Sequence, residues 1–326
     1  MTEVKTEKVT LDRVKELYSK PFLDLVYEAA SVHRKHHDAS EVQLCTLLSV
    51  KTGGCSEDCS YCPQAARYHT DVEKQKLMDV GAVLSEANKA KESGSTRFCM
   101  GAAWREVKDN EDFDNIIKMV KGVSDLGLEA CCTLGMLTKS QADKLADAGL
   151  TAYNHNLDSS DGFYSEIITT RTYQDRLNTL KNVADAGIST CCGGIIGMGE
   201  TEDDRIKFLH TLANLDTVPE SVPINALVPV EGTPLENQKM VDPFDWIRVI
   251  AIARIVMPEA MVRLSAGRLQ LSKEVQAFAF MAGANSIFTG EKLLTTGNPD
   301  YEFDTKMLGT LGLKGRVSNK KIRINA

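Results

Sequence analysis

Eight short runs rich in β-forming residues alternate with amphipathic helical segments along most of this chain. Four of the helical segments end at a glycine directly before a run, as left-handed helix caps do. Strands that alternate with helices in this way build βα units and a parallel sheet. Eight such units in about 250 residues predict an α/β fold, a (β/α)8 TIM-type barrel, and disfavour the alternative of a doubly wound open sheet. The predicted strands are 44–50, 96–100, 129–134, 152–157, 189–196, 221–228, 261–265 and 285–288, and the capping glycines are Gly94, Gly127, Gly149 and Gly187.

The chain divides into three predicted segments. Residues 1–40 predict an N-terminal helical extension, with one helix from about Thr10 and a second that opens at Pro21. The barrel is expected over 41–296. The polar remainder, 297–326, is predicted to be a peripheral C-terminal segment.

Charge and hydropathy exclude several classes of partner. Lys plus Arg number 38 against 45 Asp plus Glu, a net charge of −7, and no basic block carries interleaved aromatic residues. A nucleic-acid partner is therefore not expected. Nowhere do eighteen apolar residues run together, and the mixed-charge N-terminus has no apolar signal core, so no membrane partner is expected either. We expect a soluble cytoplasmic protein, or a mitochondrial matrix protein if the source is eukaryotic.

Three cysteines follow the first predicted strand in the spacing Cys-x3-Cys-x2-Cys, at Cys55, Cys59 and Cys62. The chain has nine cysteines, an odd number that does not suggest a disulfide scaffold. A loop at this place lies on the C-terminal side of the barrel, where active sites of this fold are built. Three thiolates can hold a small metal centre but leave one coordination position open. A zinc knuckle with a borrowed fourth ligand and three unrelated cysteines are the alternatives, although no second Cys-x2-Cys knuckle appears.

Six successive predicted strands, the second to the seventh, carry polar or thiol side chains where a barrel interior prefers branched aliphatic residues. Since side chains alternate along a strand, Asn154, Asn156 and Asp158 share one face. Individually satisfied core groups are one explanation, and convergence on a ligand and a second metal centre is the simpler one. By its chemistry alone, the arginine of this set is a partner for an anion or a thiolate. The six residues are Cys99, Cys131, Asn156, Cys191, Asn225 and Arg263.

The cysteine loop resembles that of the radical S-adenosylmethionine superfamily. Together with three further motifs it resembles the biotin synthase family over most of residues 20–296. The motifs are Arg-Phe-Cys-Met-Gly-Ala-Ala-Trp at 97–104, Tyr-Asn-His-Asn-Leu-Asp at 153–158 and Val-Arg-Leu-Ser-Ala-Gly-Arg at 262–268. This resemblance implies a [4Fe–4S] cluster on Cys55, Cys59 and Cys62 whose open iron chelates S-adenosylmethionine. It also implies a [2Fe–2S] cluster on Cys99, Cys131, Cys191 and Arg263.

The resemblance further implies a sulfurtransferase that inserts sulfur between C6 and C9 of dethiobiotin, the last step of biotin biosynthesis, with the second cluster as sulfur source. Its implied contacts are Asn156 and Asp158 to the ribose and substrate, Asn225 to the ureido ring, and Arg176 to the methionyl carboxylate. Tyr61 matches the family's aromatic residue before the third cysteine. The implied partners are an electron donor such as flavodoxin or ferredoxin, the iron–sulfur assembly machinery and a second copy in a homodimer. Another radical S-adenosylmethionine reaction without a sacrificial cluster and a non-catalytic zinc module are the rival functions.

Two predicted strands each contain a pair of adjacent cysteines, Cys131–Cys132 and Cys191–Cys192, and the member that faces the barrel interior must be identified in each. Only one member of each pair can face the barrel interior, because neighbouring side chains in a strand point to opposite faces. The motif register selects Cys131 and Cys191, so we expect Cys132 and Cys192 to pack outside the barrel. Cys45 has no assigned role and is expected to belong to the core.

Overall fold

The computed structural model describes residues 8–317, and its centre is a closed barrel of parallel strands. Consecutive strands pair in parallel around the barrel, and the last barrel strand pairs back with the first. This closure confirms the predicted (β/α)8 TIM-type fold. The strands are β1 Glu41–Lys51, β2 Arg97–Ala102, β3 Glu129–Thr133, β4 Ala152–Asn154, β5 Ser189–Cys191, β6 Gly194–Ile196, β7 Ser221–Ala226, β8 Met261–Leu264, β9 Ser286–Phe288 and β10 Lys314–Gly315.

Helices surround the barrel and bury their apolar faces against it. In the helix Glu111–Asp125, for example, Phe113, Ile116 and Val120 are buried, as their helical spacing predicts. The four glycines predicted to cap helices all have positive φ, between 74° and 93°. The helices are α1 Leu11–Ser19, α2 Phe22–His36, α3 Val80–Glu92, α4 Glu111–Asp125, α5 Lys139–Asp147, α6 Asp161–Ile167, α7 Tyr173–Asp185, α8 Glu202–Ala213, α9 Pro243–Val256, α10 Lys273–Met281 and α11 Tyr301–Thr310.

The fourth and fifth predicted strands are shorter than the sequence indicates. The run 189–196 is divided into β5 and β6, which together occupy one position of the barrel between β4 and β7. The break falls at Gly193, where an added Cβ would lie only 1.9 Å from the carbonyl oxygen of Pro223. β4 ends at Asn154, and the following backbone bonds irregularly to the neighbouring chain, for instance from Asp158 N to Gly193 O at 3.2 Å. Asn156 and Asp158 therefore lie in the mouth of the barrel and not within a strand.

The segments before and after the barrel pack onto it. Thr10 caps α1, and α2 begins after Pro21 and packs on α9. Near the C-terminus, Asp304 of α11 forms a buried ion pair with Arg268, and β10 pairs with β1. The division into 1–40, 41–296 and 297–326 stays a prediction, and residues 1–7 and 318–326 lie outside the described part of the chain. Within residues 8–317, no helix has both the length and the apolar character needed to cross a membrane.

Candidate active site

A cavity of about 310 Å³ lies in the barrel, lined by residues of the strands, of the loops that follow them and of the segment 293–296. The sequence-predicted residues that line it are Cys55, Tyr61, Cys62, Cys99, Cys131, Asn156, Asp158, Arg176, Cys191, Asn225 and Arg263. Cys59 does not line the cavity but is buried in the loop beside it. The fold therefore brings both predicted cysteine groups and the predicted ligand contacts to one space.

Backbone hydrogen bonds close the three-cysteine loop on itself. Cys55 N donates to Gln64 O at 2.9 Å, and Ala66 N donates to Cys55 O at 2.7 Å. Cys62 N donates to Cys59 O, also at 2.9 Å. These bonds fix the spacing of the three cysteines before any ligand binds.

Asp58, inside the same loop, fastens the loop to the segment that leads into α7. Its carboxylate accepts hydrogen bonds from the backbone N–H groups of Thr169 at 2.9 Å and Thr170 at 3.1 Å. Burial works against the charge of Asp58, but these threonine hydrogen bonds prevail and lower its pKa to about 2. The carboxylate is thus ionised at neutral pH and holds the loop in place.

Of the loop thiols, Cys59 is buried and Cys55 and Cys62 are partly buried, and their surroundings disfavour the thiolate form. Burial raises the pKa of Cys59 to about 11, and burial together with the nearby Cys59 raises the pKa of Cys62 to about 12. A metal that replaces the thiol protons removes this penalty, so the donor set fits an iron–sulfur cluster. Among residues 8–317, no three Cys, His, Asp or Glu side chains are placed to share one metal ion.

Asp158 and Arg176 form a buried ion pair in the cavity wall. Arg176 Nη2 donates to Asp158 Oδ2, and Tyr61 Oη donates to the same oxygen at 2.9 Å. Arg176 Nε also donates to Tyr164 Oη at 3.0 Å. Burial opposes the charge of Arg176, but the Asp158 carboxylate holds the pKa of Arg176 well above its usual value. The pair therefore joins the cysteine loop, through Tyr61, to the barrel wall.

Two asparagine side chains that line the cavity link neighbouring segments of the barrel. Asn156 Oδ1 accepts from Gly193 N at 3.1 Å and from Asn154 Nδ2 at 2.9 Å. Asn225 Nδ2 donates to Gly194 O at 2.9 Å, and its Oδ1 accepts from Ala266 N at 3.0 Å. Backbone bonds thus orient both amides at the cavity, while each keeps hydrogen-bonding capacity for a ligand.

The second group of thiols surrounds a buried arginine deeper in the barrel. Arg263 Nη1 donates to Cys191 Sγ at 3.7 Å, and Arg263 Nε donates to Ser286 Oγ at 2.9 Å. Arg263 Nη2 donates to Gln43 Oε1 at 3.2 Å. The guanidinium carbon also lies 4.9 Å from the centre of the Phe288 ring. Cys99, Cys131, Cys191 and Arg263 are each at most 2% exposed, so water is largely excluded from this group.

The pKa values of the three inner thiols shift in different directions because their electrostatic surroundings differ. A hydrogen bond from Cys99, followed by the charges of Arg97 and Arg263, lowers the pKa of Cys131 against the effect of its burial. The same hydrogen bond, together with burial, raises the pKa of Cys99 well above its usual value. Burial also raises the pKa of Cys191, although Arg263 opposes this.

The remaining cysteines fall into two environments. Cys132 packs among the side chains between the barrel and α4, and Cys192 packs in the core that includes residues of α8. Cys45, expected in the core, lies inside the barrel with Cys99 and Cys131. Sequence reasoning missed this third neighbour, as well as Arg97 and Gln43, although strand alternation puts Cys45 and Gln43 on the face of β1 that points inward.

Comparison with known proteins gives two family matches and many close relatives. Residues 49–212 match the Radical SAM superfamily, and residues 223–314 match the Biotin and Thiamin Synthesis associated domain. The chain is 65% identical over 320 residues to a biotin synthase of Cytophaga hutchinsonii, covering 98% of this chain and 95% of the relative. It is 61% identical over 303 residues to the mitochondrial biotin synthase of Arabidopsis thaliana, covering 93% of this chain and 80% of the relative.

Solved structures support the fold alone. The crystal structure of methylornithine synthase (PylB) aligns with a TM-score of 0.80 at 19% identity, covering 96% of each chain. The FeFe-hydrogenase maturase HydG from Carboxydothermus hydrogenoformans aligns with a TM-score of 0.78 at 15% identity, covering 95% of this chain and 76% of HydG. Both share the barrel described above.

Proposed function

The chain belongs to the biotin synthase family of radical S-adenosylmethionine enzymes, and we propose that it converts dethiobiotin to biotin by inserting sulfur between C6 and C9. One observation supports this most strongly: a single cavity is lined by cysteines of the outer loop and by the inner cysteines around Arg263. A radical reaction that needs no sulfur source has no use for the inner group. The cavity therefore favours sulfur insertion over the other reactions of the superfamily.

We assign Cys55, Cys59 and Cys62 to a [4Fe–4S] cluster that binds S-adenosylmethionine. When bound, the cluster and S-adenosylmethionine supply a radical that takes hydrogen from unactivated carbon. The protein's part is to orient both groups. The hydrogen bond from Tyr61 to Asp158 supports this role, because it connects the residue before Cys62 to the wall of the cavity.

We assign the ligand contacts to four side chains at the level between the two cysteine groups. Asn156 and Asp158 are proposed to bind the ribose and the substrate, and Arg176 the methionyl carboxylate. Asn225 is proposed to bind the ureido ring, since an amide offers both the donor and the acceptor that a cyclic urea needs. Backbone bonds that already orient Asn156 and Asn225 support these roles, because preorganised groups bind without a further ordering cost.

We assign Cys99, Cys131, Cys191 and Arg263 to a [2Fe–2S] cluster, which supplies the inserted sulfur. Burial of all four side chains supports this assignment, because a carbon radical must meet the sulfur donor before it meets water. The metal-free protein keeps Arg263 protonated: burial opposes its charge, but the nearby thiols Cys45, Cys191 and Cys99 raise its pKa. Ligation by Arg263 therefore requires that iron displace a proton.

The remaining proposals concern the setting of the reaction. An electron donor such as flavodoxin or ferredoxin would reduce the outer cluster, and the iron–sulfur assembly machinery would restore the inner one. We propose a homodimer, located in the cytoplasm or in the mitochondrial matrix. We also keep the division into an extension at 1–40, a barrel at 41–296 and a C-terminal segment at 297–326.

Anaerobic reconstitution with iron and sulfide, followed by Mössbauer spectroscopy, tests the proposal. We expect signals of both a [4Fe–4S] and a [2Fe–2S] cluster, and mass spectrometry should detect biotin when dethiobiotin, S-adenosylmethionine and a reductant are added. A single cluster type without biotin would favour another radical reaction. Tightly bound zinc without iron would indicate the non-catalytic zinc module.

A further inference from the structure

Arg97 is a buried arginine for which the assigned chemistry has no use. It lies on β2 two residues before Cys99, so both side chains share the inward face of that strand. Only 2% of Arg97 is exposed. In the strand register its neighbours are Cys45 on β1 and Glu129 on β3. The guanidinium therefore lies in the interior layer directly below the inner thiols.

Two of the three nitrogen atoms of this guanidinium donate hydrogen bonds to carboxylates, and the third does not. Arg97 Nε donates to Glu129 Oε2 at 2.8 Å, and Nη2 donates to Glu220 Oε2 at 3.0 Å. Nη1 is buried and has no hydrogen-bond partner among residues 8–317. A buried guanidinium N–H without an acceptor is costly, and proteins rarely keep one without a use for it. The free nitrogen therefore points to an acceptor that binds there.

The surroundings of Arg97 identify the chemistry of that acceptor. Cys45 lies beside Arg97 in the strand register and packs with Cys99 and Cys131, so the guanidinium and the inner thiols share the barrel interior. The carboxylates of Glu129 and Glu220 lie on the opposite, partly exposed side, with 23% and 37% of their side chains accessible. An anionic group among the thiols would face Nη1 in a water-poor interior, where a charge-assisted hydrogen bond is strong.

A continuous hydrogen-bond chain also connects Arg97 to Arg263. Glu129 Oε2, which accepts from Arg97, accepts from Gln43 Nε2 at 3.1 Å, and Gln43 Oε1 accepts from Arg263 Nη2 at 3.2 Å. The same chain therefore fixes the orientation of both guanidinium groups. A purely structural arginine would need no such link to the cluster site.

We propose that Arg97 Nη1 donates a hydrogen bond to a sulfur atom of the inner cluster, so that Arg97 binds the cluster without ligating iron. This inference rests on the proposed [2Fe–2S] site. Hydrogen bonds to cluster sulfurs and nearby positive charge stabilise the reduced, more negative cluster. Arg97 therefore raises the reduction potential of the inner cluster, the group from which sulfur is taken.

The test compares Arg97→Leu with Arg254→Leu in anaerobically reconstituted protein. Arg254 is a matched control because it is 0% exposed and its side chain donates hydrogen bonds to Gly283 O and Asn285 Oδ1 and to no cysteine within residues 8–317. Resonance Raman spectra are recorded after reconstitution in H2O and in D2O, since an N–H···S bond makes the iron–sulfur stretching bands sensitive to the exchange. The potential is measured by a redox titration followed by absorbance.

We expect the inner-cluster bands of the unsubstituted protein and of Arg254→Leu to shift in D2O. In Arg97→Leu that shift should shrink and the potential should become more negative. Equal bands and equal potentials in Arg97→Leu and the unsubstituted protein would overturn the inference while leaving the cluster ligands intact. An unsubstituted protein without a [2Fe–2S] signal would instead refute the proposed ligand set, and the inference with it.

Arg97→Lys decides the question if Arg97→Leu does not fold. Lysine keeps the positive charge next to Glu129 and Glu220 but loses the forked geometry that directs Nη1. We expect Arg97→Lys to retain the inner cluster with a reduced D2O shift. A full shift in Arg97→Lys would contradict the hydrogen bond and leave Arg97 with a structural role only.

Discussion

Arg263 Nη1 donates a hydrogen bond to Cys191 Sγ at 3.7 Å, between β8 and β5, which are separated in the barrel by β7. Each residue is only 1% exposed. A charged guanidinium in such a place needs partners, and Ser286 and Gln43 supply two more. Since Cys192 points the other way, into the core outside the barrel, the two adjacent cysteines must respond differently to substitution.

Cys191→Ser should lose the inner cluster, whereas Cys192→Ser should keep it. A serine hydroxyl is a poor replacement for a thiolate on iron, so iron and sulfide analysis of reconstituted Cys191→Ser should show a loss of about one third of the iron, two of six atoms. Cys192→Ser should bind the full amount of iron and lose only about 1–3 kcal/mol of stability from its buried hydroxyl. Iron loss in Cys192→Ser with none in Cys191→Ser would reverse the register of β5.

Asp158→Asn should destabilise the protein by about 3 kcal/mol, because it leaves the buried Arg176 charge without its carboxylate. Asp158 has a positive φ of 67°, a conformation that asparagine also tolerates, so the change tests the charge and not the backbone. Urea unfolding measures the stability, and equilibrium dialysis should show at least about tenfold weaker S-adenosylmethionine binding, equivalent to about 1.4 kcal/mol.

The control is Asp245→Asn, which removes a carboxylate that is 40% exposed and paired with Arg205. Such partly exposed pairs contribute less than about 1 kcal/mol. Equal losses in the two variants would show that the Asp158–Arg176 pair has no special role.

The sequence predicted the barrel and the inward cysteines for a simple reason. βα alternation gives the fold. The two-residue period of a strand allows only one cysteine of each adjacent pair to face inward, and the motif register then selects Cys131 and Cys191. These properties depend on neighbouring residues in the chain, so no tertiary information was needed. The family resemblance then supplied the identity of the clusters, which periodicity could not.

Contacts between long side chains could not be predicted in the same way. Asp158 and Arg176 were expected to bind different parts of a ligand, yet they pair with each other, because the chain between them folds back through α6. Arg97 was missed since its partners Glu129 and Glu220 lie 32 and 123 residues away in sequence. Strand breaks were missed too: nothing local reveals that Gly193 must approach Pro223.

Gly193→Ala should destabilise the protein by about 3 kcal/mol, the upper range for overpacking. The added Cβ would lie 1.9 Å from Pro223 O, a backbone atom that no rotamer change can move. The shift should also break the bond from Gly193 N to Asn156 Oδ1 and so weaken ligand binding. Urea unfolding and dialysis measure the two effects.

Gly127→Ala is the matched control for this glycine. Its φ is +82°, but nothing lies within 4 Å of the added Cβ, so only the left-handed backbone costs energy, about 1–2 kcal/mol. Ligand binding should be unchanged. If both variants lost the same stability and kept the same affinity, the close approach at Gly193 would be irrelevant to the site.

His33 should make the metal-free chain sensitive to mild acid. Burial, with smaller contributions from Arg254, His37 and Arg34, lowers its pKa from 6.5 to about 3, and its Nε2 has no hydrogen-bond partner among residues 8–317. Between these two pH values, His33 is therefore protonated in the unfolded chain but not in the folded chain. The contribution of neutral His33 to the free energy of unfolding is fully present above about pH 6.5. It is lost as the pH drops toward about 3, by up to about 1.4 kcal/mol per pH unit.

His33→Leu should flatten this dependence, because it removes the group that must stay neutral. Urea unfolding at pH 7, 6 and 5 measures the slope, and the difference between the variant and the unsubstituted chain isolates His33 from the neighbouring His37. The exposed His69 provides the control, and His69→Gln should keep the original slope. A His33→Leu slope equal to that of the unsubstituted chain would mean that His33 takes up its proton without unfolding, which burial at 3% exposure argues against.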